Sequence, residues 1–191
     1  HYNYIYKLLN NIDISNKIIN FYLVFSTKED YELFQYKEFV NKIIIDNLDT
    51  KNIPVYKKFY ALDKLRDKYT YYIVCDAEIM IIPENFNKKN ILKKVETIYN
   101  NKIIYGGIGN KVNNIIKKSK NIFKSDDDKK RLNNNLYYFW SDLPVFKGND
   151  LTDFFSKIDY KNLEYQHFEH QIYLNYLLLY KNFRLINITT L

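Results

Sequence analysis

Residues 69–81 read YTYYIVCDAEIMI, and this stretch decides the fold. Its residues 71–75 (YYIVC) are continuously apolar, which is typical of a central strand buried on both faces of a sheet. The run stops at Asp76, Ala77 and Glu78. Because ligands bind beyond the carboxyl ends of the strands in an open α/β sheet, these three residues stand where a site is expected.

Strand and helix patterns alternate on either side of this run. The pattern predicts strands at 18–26, 40–46, 102–105, 136–140 and 183–188, and helices at 27–36, after Pro54, and at 87–101, 151–158 and 165–180. This alternation predicts one α/β domain over residues 1–191, with a mostly parallel central sheet flanked by helices. The domain can also be one part of a longer protein. The polar stretch 109–135, which includes the charged run 125–131, predicts a basic helix and a mobile loop.

The charge of the chain is basic, with a formal net charge of +7. Lysine outnumbers arginine 26 to 3, and it is accompanied by 25 Asn, 25 Ile and 20 Tyr, residues with AT-rich codons. A biased genome therefore explains the lysine excess. Arginine makes the bidentate contacts that nucleic-acid readers use, so its scarcity does not favour a nucleic-acid partner. The charge still suits a smaller anion such as a nucleotide diphosphate.

Several classes of protein are excluded by what the sequence lacks. The single cysteine, Cys75, excludes an internal disulfide framework and fits a reducing compartment such as the cytoplasm. No apolar run approaches the roughly 18 residues of a membrane span, and no signal peptide is recognised. The chain has no phosphate-binding P-loop, and Gly107-x-Gly109 lacks the third glycine of a dinucleotide fingerprint. Kinase, GTPase and dehydrogenase functions are therefore not expected.

Asp76 and Glu78 are candidates for a metal site. Two residues apart on extended backbone, their side chains point to the same side, and two carboxylates suit a hard divalent cation. The same spacing occurs at Asp30/Glu32 and at Asp126/Asp128, about as often as chance predicts. Position distinguishes Asp76/Glu78, because an unpaired carboxylate directly after a buried strand is costly. A metal or ligand role and a structural role, as a helix cap or ion pair, stay equally open on this evidence.

The chain resembles the nucleotide-diphospho-sugar glycosyltransferases of the GT-A fold. The resemblance lies in an N-terminal strand, a helix with Lys58 and Leu62, the run at 69–81, and two later segments, YYFWSDLPVF (137–146) and FEHQIYLNYLLLYKNFRLIN (168–187). It covers roughly residues 18–188. In that family a strand ends in an Asp-x-Asp motif that holds Mn²⁺ or Mg²⁺ against the diphosphate. Here Glu78 stands where the second Asp is usual.

The resemblance implies roles for individual residues on the donor side. Asp76 would contact the ribose or bridge to the metal through water, Glu78 would ligate the metal, and Ala77 would lie against the nucleotide-sugar. Other positions would also bind the donor: Phe25, Ser26 and Thr27 at the base, Lys58 at the base or a phosphate, and Gly106 and Gly107 at the sugar. The alternatives are a solvated helix lysine for Lys58 and a plain turn for the two glycines.

Transfer with inversion needs a group that removes the proton of the acceptor hydroxyl. Asp142 follows a predicted strand, and Glu169 begins the apolar part of a long helix. Asp142 is preferred because sheet geometry places it at the cleft, although it also fits a cap before Pro144, and Glu169 also fits an ion pair with a lysine. The pair His167-x-x-His170 lacks a third metal ligand and is interpreted as two surface residues.

These observations lead to one preferred function and two alternatives. The preferred function is metal-dependent transfer of a hexosyl or deoxyhexosyl group from a nucleotide-diphospho-sugar to a glycan or other hydroxyl acceptor, with Mn²⁺ or Mg²⁺ as cofactor. The alternatives are a non-catalytic nucleotide- or RNA-binding α/β module and a structural domain of a larger assembly.

Overall fold

A computed structural model describes residues 5–6, 20–35, 41–45, 53–76, 88–108, 112–132, 135–139 and 145–188. The elements in these ranges follow the chain in the order β1 (Tyr22–Phe25), α1 (Lys28–Glu32), β2 (Asn41–Ile44), α2 (Pro54–Leu65), β3 (Tyr71–Ile73), α3 (Lys88–Asn101), β4 (Ile103–Gly107), α4 (Asn113–Asn121), α5 (Asp126–Arg131), β5 (Tyr137–Phe139), β6 (Val145–Lys147), α6 (Gly148–Lys157), α7 (Glu169–Tyr180) and β7 (Arg184–Asn187). A short 3₁₀ turn, Tyr160–Asn162, precedes α7. No helix within these ranges is both long and apolar enough to span a bilayer.

The chain divides into two compact units. The first comprises His1–Asp49 and Cys75–Asn100, and the second comprises Thr50–Val74 and Asn101–Leu191. In the first unit, β1 pairs in parallel with β2, with Phe25 opposite Ile44. Phe25 and Phe34 are buried there, and their rings meet edge-on with centroids 5.5 Å apart.

The second unit contains two small sheets and an aromatic core. One sheet is the antiparallel pair β3–β6, and the other has the order β5-β4-β7, in which β4 runs parallel to β7 and antiparallel to β5. Helix α7 is the core helix of this unit, because nine of its twelve residues are buried, the polar Gln171 and Asn175 included. Its Tyr173 and Tyr176 pack against Phe154 of α6, with ring centroids 5.2 and 5.3 Å apart.

The α/β class predicted from the sequence is confirmed. Among the described residues, however, the strands form three small sheets, and two of the four strand pairings are antiparallel. Strand β3, predicted as a central strand buried on both faces, pairs there with β6 alone, and only Tyr72 of its three residues is buried. The antiparallel partner of β3 is β6, a three-residue strand that the sequence pattern did not indicate.

The run 125–131 lies in the stretch predicted to contain a basic helix and a mobile loop, and its residues Asp126–Arg131 form helix α5. The mobile loop stays a prediction. Ser125 accepts a hydrogen bond from the backbone N–H of Asp128 and so caps the N-terminus of α5. The first turn is acidic and the last turn is basic, which complements the helix dipole. Asp128 is buried and accepts a hydrogen bond from the Tyr180 hydroxyl of α7, which ties the polar helix to the core.

Candidate functional site

The predicted donor residues Phe25, Ser26 and Thr27 lie at the end of β1 in the first unit. Phe25 ends β1, and its ring is enclosed by Tyr31 and Phe34. Ser26 follows it half-buried, and Thr27 caps α1 by accepting a hydrogen bond from the N–H of Asp30 at 3.0 Å. Asp76 is exposed. Thr27, which was predicted to contact the nucleotide base, therefore caps helix α1 in the structure.

Three of the predicted site residues, Ala77, Glu78 and Asp142, lie outside the described residues. The predicted metal pair therefore has one member, Asp76, in the described part of the chain. Within that part, no group of three or more His, Cys, Asp or Glu side chains is arranged to hold a metal ion. The metal site at Asp76/Glu78 and the assignment of Asp142 stay predictions.

The glycines of the predicted donor site end β4. Gly106 pairs with Tyr138 on one side and with Asn187 on the other, and it is buried. A Cβ atom at this position would lie 3.0 Å from Leu185 Cδ1 and 3.1 Å from Leu136 Cβ. The absence of a side chain at Gly106 therefore allows these leucines to pack closely over the sheet. Gly107 is buried as well and pairs with Tyr137.

Lys58 and Glu169 meet in the second unit, although 111 residues separate them in the chain. Lys58 Nζ lies 2.6 Å from Glu169 Oε1, and the two side chains are 15% and 9% exposed. Lys58 is held on α2, whose buried residues include its neighbour Phe59. Glu169 is the first residue of α7, where the helix dipole favours a negative charge. Lys58 is therefore not a solvated helix lysine. Glu169 forms the ion pair with a lysine that was one of its two interpretations, and that lysine is Lys58.

Tyr137 and His170 lie beside this ion pair. The Tyr137 hydroxyl is 2.7 Å from His170 Nε2, and the two rings meet edge-on with centroids 5.5 Å apart. Burial raises the pKa of Tyr137, and the negative charge of Glu169 raises it further. Tyr137 is therefore a neutral hydroxyl near pH 7, close enough to Glu169 to sense its charge. The cluster of Lys58, Tyr137, Glu169 and His170 is called the α7 cluster below.

Gln171 fixes the geometry of the α7 cluster. Its side-chain oxygen accepts the backbone N–H of Tyr138 at 2.9 Å, and its amide nitrogen donates to the Leu136 carbonyl at 3.3 Å. One fully buried side chain therefore binds the backbone of β5 on both sides of Tyr137. This clamp positions Tyr137 relative to the first turn of α7. In chemical terms the cluster combines an ammonium group, a carboxylate, and a phenol hydroxyl that is hydrogen-bonded to an imidazole.

Sequence reasoning found only half of the α7 cluster. Lys58 and Glu169 were candidates, whereas Tyr137 was not considered and His170 was interpreted as a surface residue. His170 is half-buried against Tyr137, and His167 is buried with only 8% exposure, so the interpretation of both as surface residues is wrong. The nearby aromatic Phe168 is 38% exposed and meets the His170 ring edge-on. No local spacing joins Tyr137 to residues about thirty positions later, so the sequence carried no signal for this contact.

Comparisons of the chain with protein-family models, with curated proteins and with solved structures found no match.

Proposed function

We propose that the chain is a glycosyltransferase that moves a sugar from a nucleotide-diphospho-sugar to a hydroxyl acceptor. The observation that supports this function is the buried pair Lys58–Glu169. Sequence reasoning named these two residues separately, one for the donor and one for the acceptor, and they meet 2.6 Å apart. The pair lies in a unit that mixes parallel and antiparallel strands with helices. For the domain we also propose the GT-A-like arrangement, with a single mostly parallel sheet.

The roles of Lys58 and Glu169 follow from the chemistry of their ion pair. An ammonium group offers three donors, so Lys58 is able to bind the Glu169 carboxylate and an anionic ligand together. We assign Lys58 to the diphosphate of the donor and Glu169 to the orientation of Lys58. Glu169 is already engaged in holding the Lys58 ammonium group, so Asp142 keeps its preference over Glu169 as the catalytic base. Phe25, Ser26, Thr27, Gly106 and Gly107 keep their proposed contacts with the donor.

The proposed cofactor is Mn²⁺ or Mg²⁺ at Asp76 and Glu78. Carboxylate oxygens are ligands that suit both ions, and the exposed position of Asp76 makes it accessible to a cation from solvent. When bound, the cation would neutralise charge on the leaving diphosphate as a Lewis acid. We expect Asp76→Asn and Glu78→Gln to abolish Mn²⁺-dependent binding of the donor while the fold stays intact. Unchanged metal-dependent affinity in both variants would contradict this assignment.

Thermal shift with a panel of nucleotide-diphospho-sugars, with and without Mn²⁺, tests the proposed function. We expect one donor to raise the melting temperature of the full chain in a Mn²⁺-dependent way, and Lys58→Gln to remove the rise. Lys64→Gln is the control, because Lys64 is an exposed lysine on the same helix. A panel without any Mn²⁺-dependent stabilisation would contradict the transferase. Stabilisation by RNA alone would favour the non-catalytic nucleotide- or RNA-binding module instead.

Turnover then separates the two candidate bases. Replacement of a true base is expected to lower turnover by about two to four orders of magnitude while donor binding stays near normal. We expect this result for Asp142→Asn. If Glu169→Gln loses turnover with donor binding intact and Asp142→Asn retains activity, the ranking of the two carboxylates is wrong.

A further inference from the structure

A groove of about 760 Å³ opens on the surface of the second unit. It is lined by α4, the segment that joins α4 to α5, Lys129 of α5, and the segment that connects α6 to α7. Pockets that bind small molecules have volumes of about 300–1,000 Å³, so the groove has the size of such a site. None of its lining residues takes part in the α7 cluster or in the proposed donor site: Asn114, Lys117, Lys118, Asn121, Ile122, Phe123, Lys124, Lys129, Asp159, Asn162, Glu164 and His167.

The charge of the groove is positive but mixed. Four lysines and two carboxylates line it. Burial lowers the pKa of His167, and the charge of Lys118 lowers it further, so this imidazole is neutral at pH 7. The groove therefore carries a formal excess of two positive charges over a short stretch of surface. Such an excess attracts anions, whereas the two carboxylates repel any anion that fills the groove from end to end.

Three of the lysines are held in place by other groups. Lys118 Nζ contacts Glu164 Oε2 at 3.2 Å and donates to the Tyr165 carbonyl at 3.0 Å. Lys124 Nζ donates to the Ser156 carbonyl at 3.0 Å. Lys129 Nζ lies 2.8 Å from Asp126 Oδ1. These contacts restrict the three ammonium groups, and the carboxylates of Glu164 and Asp126 offset the charges of Lys118 and Lys129.

Lys117 differs from these three lysines. Its side chain is exposed, and it makes no hydrogen bond or ion pair with any other residue in the described part of the chain. It lines the groove and also a second cavity of about 290 Å³. Lys117 lines both cavities and has no side-chain partner among the described residues, so it is the lysine of the groove best able to bind an anion from solvent.

The remaining groups of the groove favour a ligand that carries hydroxyls as well as phosphate. Asn114 and Asn121 supply amide donors and acceptors, whereas the Asn162 amide already donates to Asp159 Oδ2 at 2.6 Å and Glu164 already binds Lys118. Hydroxyl groups use both kinds of partner, whereas a nucleic-acid backbone presents phosphates that carboxylates repel. No arginine lines the groove, although arginine is the usual residue for bidentate phosphate contacts in nucleic-acid recognition. The mixed lining therefore fits a small ligand better than a polynucleotide.

We propose that this groove binds a small polyhydroxylated molecule that carries phosphate groups, with Lys117 as its principal phosphate contact. The site is separate from the proposed donor site and does not depend on the transferase activity. A charge-assisted hydrogen bond between an ammonium group and a phosphate is a strong contact, and its loss lowers affinity by about tenfold. Lys117 is exposed and makes none of the contacts that hold the fold, so its replacement leaves the protein folded.

Isothermal titration calorimetry on the full chain tests the site, with fructose 1,6-bisphosphate as the probe. We expect the bisphosphate to bind, Lys117→Gln to weaken binding about tenfold, and Lys89→Gln to leave affinity unchanged. Lys89 is a matched control because it is an exposed lysine on α3, in the other unit. Absence of bisphosphate binding, or an equal loss in both variants, would overturn the proposal. Tighter binding of a 15-residue oligouridylate that displaces the bisphosphate would identify a nucleic-acid surface instead and would also overturn it.

Discussion

The ion pair of Lys58 and Glu169 affects the free energy of unfolding, whether or not the two residues act in catalysis. Both side chains are largely removed from water, so loss of either partner leaves the other charge buried without compensation. We expect Lys58→Met to lower the free energy of unfolding by about 3 kcal/mol in urea titrations. Lys64→Met, on the exposed side of the same helix, is expected to change it by less than about 0.5 kcal/mol.

A double variant distinguishes the pair from simple loss of packing. Lys58→Met combined with Glu169→Gln removes both charges, so it is expected to cost less than the sum of the two single substitutions. If Lys58→Met costs no more than Lys64→Met, the pair is not buried in solution and the α7 cluster loses its main anchor.

His167 makes stability depend on pH through a different mechanism. Burial lowers the pKa of His167, the nearby charge of Lys118 lowers it further, and hydrogen bonding to the Glu164 backbone opposes the shift. The unfolded chain therefore binds the proton more readily than the folded chain. The contribution of neutral His167 to the free energy of unfolding is complete above about pH 6.5 and is lost as the pH falls toward the pKa of His167 in the folded chain.

Unfolding measured between pH 7 and pH 5.5 tests this linkage. We expect the free energy of unfolding of the unsubstituted chain to decline over this interval, and His167→Gln to remove most of the decline. The variant His170→Gln is the control and is expected to keep it. A decline that persists unchanged in His167→Gln would assign the pH dependence to other groups.

At the scale of the elements, the cap of α5 explains why a strongly polar segment is helical. The Ser125 hydroxyl satisfies a backbone N–H that otherwise has no partner at the helix start. We expect Ser125→Ala to cost about 1 kcal/mol and to speed amide exchange in α5. Thr152→Ala, which removes an exposed hydroxyl away from a cap in α6, serves as the control. Equal stability of the two variants would mean that the contacts of Asp128 and Arg131 with α7 hold the helix without the cap.

The junction between β6 and α6 depends on Gly148. Its N–H donates to the Thr70 carbonyl at 2.8 Å, and a Cβ atom there would lie 2.0 Å from the Tyr69 carbonyl oxygen. Backbone atoms do not move aside cheaply, so we expect Gly148→Ala to cost about 3 kcal/mol. Gly106→Ala meets Leu185 Cδ1 at 3.0 Å and Leu136 Cβ at 3.1 Å, which are longer approaches, and is expected to cost less. The same urea titrations measure both, and a milder effect at Gly148 would contradict this account.

The elements also show how far the sequence predicts this fold. Local patterns placed nearly every helix, because periodic apolar residues and Pro54 at the start of α2 are local signals. The pattern Ser-Asp-Asp-Asp-Lys-Lys-Arg of residues 125–131 is also local, and attention to capping would have identified α5. Strand β6 is only three residues long, and its pairing with β3 joins residues 71–73 to 145–147. Such long-range pairing, like the contact of Tyr137 with His170, is decided by packing, which no local pattern encodes.

At the scale of the whole molecule, burial is distributed unevenly, and two helices of similar length show the contrast. Helix α7 has nine buried residues of twelve, whereas in α3 the Val95 side chain is the one buried among residues 89–101. The interior amides of both helices are hydrogen-bonded, so differences in exchange arise from the free energy needed to open each helix. Opening α7 exposes core side chains such as Tyr173 and Leu174, and opening α3 exposes little apolar surface.

We therefore expect the amides of α7 to exchange at least about a hundredfold more slowly than those of α3 at pH 7. Mass spectrometry of deuterium uptake, with peptides covering 169–180 and 90–101, measures both helices in one experiment on the full chain. Leu174→Ala is expected to speed exchange in α7 and to leave α3 unchanged, because the substitution creates a cavity in the second unit alone. Comparable exchange in the two helices of the unsubstituted chain would show that α7 opens without exposing the core, contrary to its burial.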